Sequence, residues 1–283
     1  MSGAVCCSNC RDSPCRCETP DRANQDTSTD AREVLESPTG LESGRKYILF
    51  DIDGTLCTSR GLGFDWACLS KVTRKDIRLD NTEVSQTADT DLSHVHHILR
   101  HHGIPEEDID NTCRAFFGES QPGAEQWGLT ARCPGVMDAL DWIRRTADQV
   151  GCAVTLGIWT GNSKTNAIVK LEAAGIPLSY FDFRISAFGD ECPTKLALFE
   201  LIQRVIERTY EASGLDMHSI LLVGDAPWDI RVASSVGCRS VAVTTGAFGA
   251  GELAPLGPDA LVSNLTEAFP FFRMFLSGKL EQH

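Results

Sequence analysis

Two aspartates, Asp51 and Asp53, stand one residue apart at the end of the apolar run KYILF, and a Gly-Thr pair follows them. Carboxylates held this close repel each other, and each disfavours ionisation of its neighbour. A bound cation would offset that repulsion, so the spacing indicates a cation site at the end of a buried strand. The structural alternative is an ordinary strand-ending turn, because Asp and Gly both favour turns.

Further polar residues stand where other apolar runs end or where the next helical pattern begins. The polar residues are Thr160, Asn162, Lys195, Asp225 and Asp229, and Gly161 lies between the first two. Ligands of open α/β sheets bind beyond the carboxyl ends of the strands. We therefore expect these residues to converge with the two aspartates on one rim of a sheet.

The elements that would position these residues are short apolar strands alternating with helical patterns. Six candidate strands are apolar nearly throughout, as expected for strands covered on both faces: 46–52, 153–160, 181–186, 219–225, 240–245 and 260–264. Helical patterns cover 134–150, 162–175, 194–212 and 228–237. This alternation predicts an α/β fold, with a Rossmann-like parallel sheet and helices on both faces.

A long stretch interrupts the alternation between the first two strands. Residues 62–132 contain three helical patterns and are far longer than a crossover requires. We predict that they form an inserted α-helical cap, and that residues 45–61 and 133–283 form the core. Residues 1–44 are poor in large apolar side chains and rich in Ser, Thr, Asp, Cys and Pro, which is typical of a disordered tail.

Four motifs in order, DIDGTL, WTGNS, PTKLAL and GDAPWD, resemble those of the haloacid dehalogenase (HAD) superfamily in its phosphatase branch. The resemblance covers roughly residues 46–265, and the flanking text NSKTNAIVKLEAAGI is similar to the capped, phosphoglycolate-phosphatase-like members. It implies a Mg²⁺-dependent phosphatase that hydrolyses a small phosphomonoester, such as phosphoglycolate or a sugar phosphate. The reaction would pass through an aspartyl-phosphate.

The resemblance also implies roles for the residues that carry out the chemistry. Asp51 would attack phosphorus, and Asp53 would protonate the leaving alcohol and later activate water. Thr160 and the amide of Gly161 would hold the phosphoryl oxygens, assisted by the N-terminus of the helix that opens at Asn162. Thr160, Gly161 and Asn162 would also form an ordinary helix N-cap.

The metal and its surroundings follow from the same resemblance. Asp51 and Asp225 would hold Mg²⁺ together with a backbone carbonyl at Asp53, and Asp229 would orient the metal or its waters. Lys195 would add positive charge where charge develops in the transition state. The structural alternatives are a solvated surface lysine for Lys195 and a plain acidic first-turn residue for Asp229.

The predicted cap supplies two candidate specificity residues, Thr87 and Asp89, in the segment SQTADTD. A plain helix N-cap is the alternative for this segment. The cap also contains several histidines, of which His94, His97 and His101 share one helix face. We predict that this face is solvated or packed rather than a zinc site, because no Cys or acidic partner stands at a fixed spacing from it.

Other functions remain as alternatives. Dehalogenase members of the superfamily lack the second aspartate, so Asp53 argues against that chemistry. Phosphomutase relatives typically carry an apolar residue where Thr55 stands, and phosphonate-cleaving relatives use a cap lysine, for which Lys71 and Lys75 are available. The last alternative is a non-enzymatic binding protein that acts through its Cys-rich tail.

Composition limits the partners. The chain has 283 residues, with 39 acidic side chains against 26 Lys and Arg, which argues against nucleic acid and anionic membranes. No apolar run approaches the roughly 18 residues of a membrane span. Scattered cysteines and no secretory pattern predict a cytoplasmic protein. Five cysteines in CCSNCRDSPCRC match no metal module, and a reduced tail is favoured over metal binding or lipidation. The expected partner is a small phosphorylated metabolite.

Overall fold

The structure of the protein is a computed structural model that describes residues 44–59, 65–77, 89–121, 130–210 and 214–280. Its strands are β1 (Lys46–Phe50), β2 (Cys57–Ser59), β3 (Thr130–Arg132), β4 (Val154–Ile158), β5 (Ile220–Gly224), β6 (Arg239–Val243) and β7 (Ala260–Val262). Its α-helices are α1 (Trp66–Thr73), α2 (Asp91–His101), α3 (Glu106–Glu119), α4 (Val136–Val150), α5 (Lys164–Ala173), α6 (Lys195–Thr209), α7 (Pro227–Val236), α8 (Ala250–Leu253) and α9 (Phe269–Leu276).

Five strands form a parallel sheet in the order β4-β1-β5-β6-β7, which confirms the predicted fold class. Successive residues of the central strand face opposite sides, as in any strand. Ile48 and Phe50 pack in an apolar cluster with residues of α4, α5 and α9. Tyr47 and Leu49 pack in a second cluster with residues of α6 and α7. Helices therefore cover both faces of the sheet.

The ends of the central strands are level with one another. Phe50 at the end of β1 pairs with Ile158 at the end of β4 and with Val223 near the end of β5. Because these strands are parallel, the residues that follow them leave the sheet at one edge. The strand-end residues selected from the sequence are thereby brought together.

The predicted strand over 181–186 is wrong. The structure has a 3₁₀ turn at Phe183–Ile185, and the Asp182 carboxylate accepts a hydrogen bond from the backbone N of Arg184 (2.9 Å). The hydroxyl of Ser186 donates to the carbonyl of Asp182 (2.9 Å). These local side-chain bonds satisfy backbone groups that a ladder would otherwise use, so the apolar run does not form a strand.

The sequence pattern does not indicate two further elements, helix α9 and the strand pair β2–β3. In α9, Phe272 and Phe275 are buried against the core that also contains α4. Apolar residues run almost unbroken through FPFFRMFL, so neither helical nor strand periodicity stands out.

Helices α1, α2 and α3 lie between β2 and β3 in the chain and share an apolar cluster of their own, which includes Leu69, Ile98 and Phe116. Strands β2 and β3 pair in antiparallel fashion, with Cys57 opposite Arg132. The chain therefore leaves the core through β2 and returns to it through the neighbouring strand β3.

The boundaries assigned to tail, cap and core remain predictions. Residues 1–43 and 60–64 lie outside the described part of the chain, and with them the five cysteines of CCSNCRDSPCRC. The seven cysteines within the described ranges are all free thiols. None of the helices in those ranges has the length and apolarity needed to cross a membrane.

Candidate active site

A cavity of about 440 Å³ lies at the carboxyl edge of the sheet, beneath the start of α2. The selected residues that line it are Asp51, Asp53, Asp89, Thr160, Gly161, Asn162, Lys195 and Asp225. Asp229 is buried and adjoins this lining through Lys195 (2.6 Å between Nζ and Oδ1). Thr87 lies outside the described residues.

Lys195 is the positive charge at the base of the cavity. Its Nζ atom lies 2.9 Å from Asp51 Oδ2 and 2.6 Å from Asp229 Oδ1. Burial would lower the pKa of Lys195, but the two carboxylates outweigh it and raise that pKa above the ordinary value. Only 2% of this residue is exposed, so the alternative of a solvated surface lysine is wrong.

Three buried carboxylates, those of Asp51, Asp225 and Asp229, each place one oxygen within 4.8 Å of the others. Burial, together with the negative charges of Asp51 and Asp229, raises the pKa of Asp225 to about 8. Burial also raises the pKa of Asp229 to about 6, although Lys195 opposes the shift. One lysine therefore faces three carboxylates, and the group fits a further cation.

Gly54 explains why a glycine follows the two aspartates. Its φ angle is +72°, a conformation that favours glycine, and a Cβ atom there would collide with the Asp225 carboxylate. The missing side chain lets the loop after β1 approach the loop after β5. The acidic group depends on that close approach.

Asp53 is held by a set of donors rather than pointing freely into the cavity. Lys170 Nζ lies 2.8 Å from Oδ1 and 2.7 Å from Oδ2, and Asn162 Nδ2 donates to Oδ2 (2.7 Å). Ser59 Oγ donates to Oδ1 (3.2 Å). Partial burial would raise the pKa of Asp53, but Lys170 and the other donors outweigh it and lower that pKa.

Sequence analysis missed Lys170. A signal was present, because Ala167, Lys170, Leu171 and Ala174 stand at the i, i+3, i+4 and i+7 spacing of a buried helix face. A lysine within such a face needs a partner, and the structure provides Asp53 and Asn162.

Thr160 and Asn162 are linked at the end of β4. Thr160 Oγ1 accepts hydrogen bonds from the backbone N of Asn162 (3.3 Å) and from its Nδ2 atom (2.9 Å). The Thr160 hydroxyl keeps its own proton for donation. The N-cap of α5 is Ser163, so the N-cap interpretation of Thr160-Gly161-Asn162 is off by one residue.

The start of α2 contacts the core directly over the cavity. The Asp89 carboxylate accepts a hydrogen bond from the backbone N of Lys195 (3.0 Å), and the Asp91 carboxylate accepts one from the backbone N of Ser163 (2.7 Å). The backbone N of Asp91 donates to the carbonyl of Gly161 (2.7 Å). A Cβ atom on Gly161 would collide with the Asp89 carbonyl, so this contact requires glycine.

Other lining residues were not indicated by the sequence. Trp228 is 38% exposed and stacks edge-to-face with Phe248, with ring centroids 5.5 Å apart. His94 also lines the cavity, and burial lowers its pKa. The Trp228 indole and the His94 imidazole therefore both border the cavity.

Comparisons with known proteins agree with this fold and these motifs. A family model described as HAD-hydrolase-like matches residues 193–268. Phosphoglycolate phosphatase 1 of Pseudomonas aeruginosa is 26% identical over 172 residues, which are 61% of this chain and 57% of that protein. The chain thus spans little more than half the length of this curated relative.

Solved structures share the fold. A predicted phosphoglycolate phosphatase from Haemophilus somnus is 22% identical, with a TM-score of 0.52 over 80% of this chain and 97% of its own. CbbY from Rhodobacter sphaeroides, in complex with phosphate, is 21% identical, with a TM-score of 0.53 over 79% of this chain and 96% of its own. The family model over residues 193–268 and the curated relative therefore make this chain similar to HAD-like hydrolases, and the parallel sheet agrees with that similarity.

Proposed function

We propose that the protein is a Mg²⁺-dependent phosphatase that hydrolyses a small phosphomonoester through an aspartyl-phosphate on Asp51. The observation that carries the proposal is the contact of Asp51 with buried Lys195 at the base of a cavity also lined by Asp53 and Asp225. The name of the Pseudomonas relative supports a phosphorylated substrate, and 2-phosphoglycolate is the first compound to test.

Each residue has a defined part in the proposed reaction. Lys195 holds Asp51 Oδ2, which leaves Oδ1 to attack phosphorus while the bond to the leaving oxygen breaks. The negative charge of a bound phosphate would favour protonation of Asp53, whose pKa is lowered in the free protein. Asp53 then donates that proton to the leaving oxygen and takes one from the water that attacks the aspartyl-phosphate. Phosphate leaves and Asp51 is regenerated. The Thr160 hydroxyl donates to a phosphoryl oxygen throughout.

The donor set fits Mg²⁺, a hard cation that binds carboxylate oxygens. Asp51 and Asp225 would hold it. Both oxygens of Asp229 already have partners, because Oδ1 meets Lys195 Nζ and Oδ2 accepts from the backbone N of Ala226. Asp229 therefore positions Lys195. When bound, Mg²⁺ supplies the positive charge that allows an anionic carboxylate to approach an anionic phosphate.

The test is phosphate release from a panel of phosphomonoesters, with 2-phosphoglycolate and several sugar phosphates, in the presence of Mg²⁺ or of a chelator. We expect release that requires the metal. Failure to hydrolyse any member, by folded protein with Mg²⁺ present, would contradict the proposal.

Mg²⁺ affinity is expected to rise with pH by up to about tenfold per unit from about pH 6 to about pH 8, then to level off. The reason is that the pKa of Asp225 is raised to about 8, so below that pH a proton must leave before the metal binds. Calorimetric titration in two buffers of different ionisation enthalpy would count the released proton. An affinity that does not change over this range would contradict the expectation.

The raised pKa of Asp225 also makes the stability of the metal-free protein depend on pH. Between about pH 4 and about pH 8 the folded chain keeps a proton on Asp225 that the unfolded chain releases. Stability without Mg²⁺ should therefore fall as pH rises through this window. Mg²⁺ should restore it most strongly at the alkaline end.

A further inference from the structure

Lys170 is a buried cation that the reaction outlined above does not use. It lies in α5 and is 4% exposed, on a helix whose neighbouring residues Ala167 and Leu171 are fully buried in the core. The helix is therefore packed against the core. Its ammonium group contacts both oxygens of Asp53 and also Asn162 Oδ1 (2.6 Å).

Protein donors make about as many contacts with the Asp53 carboxylate as it can accept. A carboxylate offers about four acceptor positions, and protein donors occupy four: two contacts from Lys170, one from Asn162 and one from Ser59. The side chain of Asp53 is still 44% exposed, so solvent or a leaving group can reach it. A proton transfer at Asp53 needs one of these donors to give way.

Ser59 differs from the other donors in its distance to Asp53 and in its place in the fold. Ser59 makes the longest of the four contacts, 3.2 Å, and it lies on β2, outside the central sheet. Lys170 and Asn162 make shorter contacts and lie on the core side. Loss of the Ser59 bond frees a position on Oδ1 while the other two residues keep the carboxylate oriented.

We propose that Lys170 is a positioning residue that orients Asp53 for proton transfer to the leaving oxygen. The inference rests on the proposed phosphatase function. Lys170 also accounts for the orientation of Asn162, because it takes the amide oxygen and leaves Nδ2 for Asp53 and Thr160. The Lys170 ammonium group thus orients both Asp53 and Asn162. Asn162 in turn contacts Thr160, which holds a phosphoryl oxygen in the proposed reaction.

The choice of leaving group separates this role from a structural one. An alkoxide is a strong base and needs a proton as it departs, whereas p-nitrophenolate is a stable anion and departs without one. Damage to the orientation of Asp53 should therefore slow phosphoryl transfer to Asp51 from an alkyl phosphate far more than from p-nitrophenyl phosphate. The ratio kcat/KM reports this step, whereas kcat also contains hydrolysis of the aspartyl-phosphate, in which Asp53 serves both substrates alike. General damage to the fold would slow both.

The experiment compares wild type, Lys170→Met, Asp53→Asn and the double variant on the best alkyl phosphate and on p-nitrophenyl phosphate. For Lys170→Met we expect kcat/KM for the alkyl phosphate to fall by about 10- to 100-fold, and kcat/KM for p-nitrophenyl phosphate by less than about threefold. In the Asp53→Asn background, Lys170→Met should add no further loss, because it acts through Asp53. Lys164→Met, an exposed lysine of the same helix, is the matched control.

The outcomes are distinct. Equal losses on both substrates, or losses that add in the double variant, would overturn the positioning role while leaving the phosphatase proposal intact. If Lys170→Met does not fold, two other variants allow the same comparisons between substrates and between backgrounds. Lys170→Arg keeps a positive charge at this position, and the double variant has no charge on either residue. No turnover by wild type on any phosphomonoester would overturn the proposed function and this inference together.

Discussion

Replacement of Asp51 with Asn is expected to lower kcat by roughly 10⁴- to 10⁶-fold, the range seen when a nucleophile is removed. The amide has nearly the same shape as the carboxylate but lacks the negative charge that attacks phosphorus. The fold should survive, because Lys195 keeps its bond to Asp229. Phosphate release at saturating Mg²⁺ measures the loss.

The matched control for Asp51→Asn is Asp148→Asn, an exposed aspartate at the end of α4 that should turn over like wild type. Acid quenching during turnover adds an independent observation, because wild type should carry one covalent phosphoryl group in its mass spectrum and Asp51→Asn none. A variant that retains more than about a tenth of wild-type kcat would exclude Asp51 as the nucleophile.

The largest effect on stability is expected from Lys195→Met, which should lower the free energy of unfolding by about 3–5 kcal/mol. The change leaves the carboxylates of Asp51 and Asp229 buried without their common partner. Because the pKa of Lys195 is raised, its charge stabilises the fold at every pH below its ordinary value of 10.5. Urea unfolding without Mg²⁺ measures the difference.

The loss in Lys195→Met should be smaller near pH 5 than near pH 8, because the pKa of Asp225 is raised to about 8 and that of Asp229 to about 6, so protonation of these two carboxylates relieves their repulsion at low pH. Lys164→Met is the control here also, since Lys164 opens α5 as Lys195 opens α6 but is exposed. Similar losses in the two variants would show that the buried charge contributes little.

Much of the site follows from sequence because of one geometric rule. Apolar runs identify buried parallel strands, and parallel strands bring the residues after them to one edge. Asp51, Thr160 and Asp225 could be grouped on this basis alone, and the structure places all three around one cavity. Their catalytic and metal-binding roles remain part of the proposal.

Side-chain contacts between segments that are distant in sequence could not be predicted in the same way. Asp89 was selected as a specificity residue, yet its carboxylate bonds to the backbone of Lys195, 106 residues away. The strand predicted at 181–186 failed for a local reason, because the Asp182 side chain competes for backbone amides. Periodicity carries no information about either kind of contact.

The antiparallel pairing of β2 and β3 has a consequence for how the segment between them can vary. Since Cys57 and Arg132 lie opposite each other, the segment that contains α1–α3 begins and ends at neighbouring positions, whatever its length. The entropy of closing such a loop grows only with the logarithm of its length. We therefore expect changes in the length or sequence of the segment that contains α1–α3 to leave the sheet folded.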